Sequence, residues 1–156
     1  MNVTNGRHTG TRSATGRAAS LPARLGGLVL LVVAAVIHVL LIGRFGNVLL
    51  DVLFGLSALG LLVGGVLLFV GAPRTGWVVG GGTALLTAVG YVLRSTTGIP
   101  GVLPQPIPFS MPTSGPISVV AEVLVVVVAV WALSGGEGVS VRSLAAELKG
   151  LFGRSG

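Results

Sequence analysis

The sequence predicts an all-α membrane protein, a four-transmembrane-helix antiparallel bundle with a Pro-rich outer loop and a short C-terminal amphipathic helix. Three observations carry that expectation. Only 9% of the 156 residues are charged, against 52% hydrophobic, and mean hydropathy is +0.97. A soluble domain carries roughly 25% charged residues. Four apolar runs follow one another, Leu25–Ile42, Val48–Val70, Trp77–Leu93 and Ile117–Leu133. Each is long enough for a bilayer core of ~30 Å at 1.5 Å per helical residue, the last two only narrowly. The first two connections, residues 43–47 and 71–76, are short and hold Gly or Pro, so neighbouring runs must lie antiparallel.

Residues 1–24 are rich in Thr, Ser, Gly, Ala and Arg and predict a disordered basic cytoplasmic tail. A cleaved signal peptide is the rival reading of the tail and first run. No A-x-A-like cleavage site follows that run, so a retained anchor is expected. Val and Ile abound in the spans, as in residues 125–128, but within lipid the backbone must satisfy its own hydrogen bonds and helix prevails over strand. The third and fourth runs are joined by a connector with six prolines between Pro100 and Pro116. Beyond residue 133 come a glycine-rich break and an amphipathic segment, 139–152, in which Leu144, Leu148 and Leu151 share a helical face. That segment is expected on the inner membrane surface, with a partner-binding helix as its rival.

Orientation follows from Lys and Arg. The tails and second turn hold eight of them; the first turn and the connector hold two, Arg44 and Arg94. Both termini are therefore expected in the cytoplasm, in a multi-pass protein of the cell (plasma) membrane. The net charge of +6 does not point to nucleic acid, because no basic stripe is interleaved with aromatics. The lipid bilayer is the expected partner, with a homo-oligomer or another membrane subunit as the protein contacts such a bundle admits. Gly60-x-x-x-Gly64 and Gly76-x-x-x-Gly80 supply small-residue spacing. Packing of the second span on the third is favoured over a homodimer seam.

Ionisable groups within spans are costly, and each needs a reason. The topology gathers one from each helix at the outer end: His38, Asp51, Arg94 and Glu122. His38 falls ~6 Å and Glu122 ~7 Å below the boundary. Placement at helix termini suits Asp51, Glu122 and Arg94 to the helix dipole, and Asp51 at the interface needs nothing more; Asn47 suits the N-cap of the second span. Arg94 is expected to salt-bridge Glu122 or Asp51 and so hold the connector. His38 and Glu122 are the natural functional pair, able to carry a proton, bind a cation or orient a polar ligand. Tyr91 lies one turn from Arg94 on the same face. The candidate polar site is therefore His38, Glu122, Arg94, Asp51 and Tyr91.

No catalytic residue, metal site or cofactor is expected. The chain has no cysteine and two histidines, and holds no H-E-x-x-H, G-x-S-x-G or Walker loop. A non-enzymatic structural or accessory membrane component is the leading expectation. A small-ligand or proton/cation carrier using a His38/Glu122 pocket in the outer leaflet is the alternative.

The stretch Arg94-Ser-Thr-Thr-Gly-Ile-Pro-Gly101, the Pro-rich loop and Gly115-Pro-Ile-Ser-Val-Val-Ala-Glu122 together resemble a group of small four-helix membrane proteins of actinobacteria and haloarchaea. Those proteins show an Arg-Thr-x-Gly-Leu-Pro-like stretch after the third helix, a carboxylate early in the fourth and a histidine late in the first. Arg94, Gly98, Pro100, Glu122 and His38 match those positions, over roughly residues 25–133. The connector here has no acidic residue, and Leu93 stands where the group often has Ser. The resemblance implies the architecture and marks these residues; it implies no reaction.

Overall fold

The computed structural model describes residues 20–98, 114–134 and 141–153. The proline-rich connector and most of both tails, on which the outer cap and the disordered segments were expected, lie outside the described residues. Five helices are described: α1 (Leu21–Leu41), α2 (Val48–Val70), α3 (Pro73–Thr96), α4 (Ser114–Ser134) and α5 (Val141–Phe152). The first four include stretches long and apolar enough to cross a membrane. The chain is an all-α integral membrane protein built on a four-helix bundle.

The helices form a ring. α1 packs on α2, α2 on α3 and α3 on α4, and α1 closes against α4. The outward faces carry exposed Val33, Leu59, Val89 and Val127, the side chains a lipid phase would solvate. One end of the ring holds the start of α1, the α2–α3 turn and α5, and is called here the tail end. The other, where α1 and α3 finish and α2 and α4 begin, is the connector end.

Three helices, α1, α3 and α4, are longer than the apolar runs suggest, the first two for identifiable reasons. α1 begins at Leu21 with Pro22 in its first turn, a position that needs no amide donor. Arg24, expected in the basic tail, belongs to this helix. Its Nε and Nη2 donate to the carbonyls of Leu68 and Phe69 at 2.6 and 2.7 Å, satisfying the end of α2. α3 begins at Pro73 rather than near Trp77, so the expected six-residue turn shrinks to Gly71 and Ala72. Gly71 takes φ 103°, a left-handed cap that a side chain would strain. The exposed start of α3 is capped from elsewhere in the chain. Glu147 of α5 accepts from the amides of Arg74 and Thr75 and from the Thr75 hydroxyl, the last at 2.9 Å. The amphipathic helix is thus fastened to the bundle, by a carboxylate placed where the helix dipole favours one.

The tail half is closely packed. Leu31, Leu61, Leu68 and Trp77 are fully buried there. A Cβ built on Gly64 would fall 2.6 Å from the Cα of Gly80, and one on Gly76 2.8 Å from the Gly64 carbonyl oxygen. Both small-residue motifs therefore serve the α2–α3 contact within the chain. Gly27 likewise makes room for the Trp77 ring.

Candidate functional site

The connector half is hollow. A cavity of about 410 Å³ lies between the four helices, within the usual range of roughly 300–1,000 Å³ for small-molecule pockets. Its wall is largely apolar, with Leu41, Leu50, Leu53 and Phe54 among the lining residues. On α3 it runs from Arg94 down to Thr83, about 16 Å along the helix. The cavity thus penetrates to the middle of the bundle, where the tightly packed tail half begins.

His38 and Glu122 meet in its wall. Nε2 of His38 stands 3.1 Å from Oε1 of Glu122, and the two residues are each 1% exposed. The α1–α4 contact makes this possible, since His38 lies about one turn before the end of α1 and Glu122 about two turns after the start of α4. Nδ1 of His38 stands 2.8 Å from the Ala34 carbonyl one turn earlier. A carbonyl can only accept, so Nδ1 carries the hydrogen and Nε2 is left to face the carboxyl. Two protonation states make a bond across that gap. Either Glu122 is protonated and donates to a neutral imidazole, or an imidazolium donates to a carboxylate. Both hold one proton more than neutral histidine beside an ionised glutamate. Ser118, one turn before Glu122, donates to the same Oε1 at 2.9 Å. Oε2 of Glu122 is buried with no hydrogen-bond partner among the described residues.

Arg94 is 7% exposed and does not make the expected salt bridge. Among the described residues no ion pair joins it to Glu122 or Asp51. Its guanidinium lies instead over two rings, 4.9 Å from the centroid of Phe45 and 5.3 Å from that of Tyr91. Those faces attract the cation without neutralising it. Nε of Arg94 is buried with no partner among the described residues. Phe45 belongs to the α1–α2 turn and stacks at a tilt on Phe54, which in turn lies 6.0 Å from the His38 ring. An aromatic file thus links the arginine to the histidine.

Of the five residues marked in the sequence, His38, Glu122, Arg94 and Tyr91 line this one cavity. Asp51 does not. It accepts from the Gly43 amide at 2.8 Å and closes the turn, while Asn47 accepts from the amides of Leu49 and Leu50 as the N-cap of α2. Sequence reasoning did not single out Ser118, Phe45 or Phe54, nor the hydroxyls of Ser57, Thr83 and Thr87 that line the floor. Ser118 was findable, since a hydroxyl four residues before a buried carboxylate on a helix is a ready donor. Phe54 sits among leucines and carries no such mark. Among the described residues no group of three metal-ligating side chains forms. No protein-family model, curated protein or solved structure matches the chain.

Proposed function

We propose that this membrane protein binds a small molecule in the connector-half cavity, with the His38–Glu122 pair as its polar determinant. The observation that carries the reading is the 3.1 Å contact between two buried ionisable side chains in the wall of a cavity of about 410 Å³. A pair kept only to fasten α1 to α4 would need no open space beside it. The reading takes the protein as a ligand pocket or carrier rather than a static scaffold, because among the described residues no acidic partner is ion-paired to Arg94. The charge distribution supports the plasma membrane with both termini cytoplasmic, which sets the cavity in the outer half. As the chain lacks cysteine, a single Cys introduced at residue 105, labelled by a membrane-impermeant maleimide on intact cells, tests that orientation.

Gly90 supplies the test of the pocket. It lines the cavity, and a Cβ added there meets nothing within 4 Å. Gly90→Leu should fill the space and keep the fold. Native mass spectrometry and thermal-shift screening with small molecules should reveal binding to the native chain that Gly90→Leu loses. Identical behaviour of the two proteins toward every compound would refute the proposal.

A further inference from the structure

The charges that face the cavity specify the kind of ligand. α1 contributes His38 and α4 contributes Glu122, with Ser118 beside it. α3 contributes Arg94 and Tyr91, and α2 contributes Phe54 and Ser57, which do not titrate. Asp51 at the start of α2 is engaged with the Gly43 amide, and Arg44 in the turn is exposed. Arg94 brings a guanidinium cation to the cavity. The empty cavity is neutral when Glu122 is ionised and His38 is not. When the pair takes its bridging proton, the cavity carries one positive charge, and in a low-dielectric wall that charge calls for an anion.

We propose that the cavity takes a small amphipathic carboxylate, head against Arg94 and chain along the leucine wall, and that each anion binds together with one proton held by the His38–Glu122 pair. This rests on the pocket reading above. Two buried polar atoms point to it independently, Nε of Arg94 and Oε2 of Glu122, neither of which has a hydrogen-bond partner among the described residues. The carboxylate accepts from the first. The proton, drawn from water, bridges Nε2 and Oε1, so that no net charge is added to the bundle. Because anion and proton each favour the other's binding, the coupling is reciprocal.

The test uses the full chain in nanodiscs of uncharged lipid, titrated with octanoate by calorimetry in buffers of different ionisation heat. About one proton should be taken up per octanoate bound. The dissociation constant should fall tenfold for each unit of pH lowered, over the range in which the free pair is unprotonated. Octylamine should not compete. Arg94→Gln should weaken octanoate at least tenfold, with a much smaller effect on octanol. Glu122→Gln should still bind octanoate, with the pH slope gone, because the arginine charge is then permanently uncompensated. Displacement of octanoate by a small mole fraction of oleate in the disc assigns the bilayer as the ligand's source. Binding undisturbed by oleate assigns the aqueous phase, and either supports a carboxylate ligand.

A pH-independent affinity in the native chain, or octanoate binding that survives Arg94→Gln, overturns the proposal. If octanoate fails but other compounds bind in a manner lost in Gly90→Leu, the carboxylate inference falls and the pocket stands. If nothing binds in that manner, both fall.

Discussion

Around Gly64, Gly80 and Trp77 the backbones of the bundle touch; around His38, Arg94 and Glu122 they stand apart and leave a cavity. The same four helices build both halves, so the difference lies in side-chain size and polarity along each. In lipid, association depends on van der Waals contact and hydrogen bonds more than on hydrophobic burial. The tail half obtains its contact from glycine. The connector half has leucines and phenylalanines that hold the helices apart, and its cross-helix cohesion includes one hydrogen-bonded pair and an arginine on two rings. Stability and binding capacity are thereby separated along the membrane normal, and substitutions in the two halves should fail in different ways.

The largest loss is expected in the closely packed half. Gly64→Val places new atoms against the Gly80 backbone, which cannot rotate away as a side chain could. Thermal unfolding in detergent should show destabilisation of about 3 kcal/mol or more, with low folded yield. A native-like melting temperature would show that the α2–α3 seam is not the stabilising contact inferred here.

In the hollow half the corresponding loss comes from a polar group left alone. Glu122→Leu strands Nε2 of His38 inside the wall, and a buried unsatisfied group costs about 2 kcal/mol. Glu122→Gln should cost less than half of that, since the amide can donate to the imidazole as the protonated carboxyl does. Equal melting temperatures for the two variants would mean that the histidine is satisfied some other way.

The legibility of the two halves also differs. Span number, antiparallel order and the pairing of Gly60 and Gly64 with the third helix were readable, because hydropathy and small-residue spacing act along a single chain segment. That four helices bring their ionisable residues to one end was readable from topology alone. What those residues do there was not. Arg94 was read as a partner for Asp51 or Glu122 because charge is visible in a sequence, whereas the Phe45 and Tyr91 faces that hold it depend on how a turn folds over a helix end. Asp51 was equally visible as a charge, yet its carboxylate is occupied by the backbone of the preceding turn. The cavity itself has no sequence signature, being space that Leu41, Leu53 and Phe54 fail to fill. Glu147 falls in the segment 139–152, which was read as an amphipathic helix on the membrane surface. Its role as a cap for α3 required knowing that the two helices meet.

That cap gives a smaller, local effect. Glu147→Ala removes the acceptor for the Arg74 and Thr75 amides. A lost helix cap costs about 1 kcal/mol. Hydrogen exchange should accelerate at those two amides and along α5, with the spans unaffected. Protection unchanged at Thr75 would mean that α5 does not rest on the bundle in solution.

The smallest effect on stability is expected from the same class of substitution that is most damaging in the tail half. Gly90→Leu enlarges a helical glycine, as Gly64→Val does, but into open space rather than backbone. Replacing a mid-helix glycine by a better helix former gains up to about 1 kcal/mol, and the new side chain fills part of the void. The melting temperature should hold or rise slightly while ligand binding is lost. A fall as large as that of Gly64→Val would mean that the helices of the connector half approach each other as closely as those of the tail half, and the contrast between the halves would disappear with the cavity.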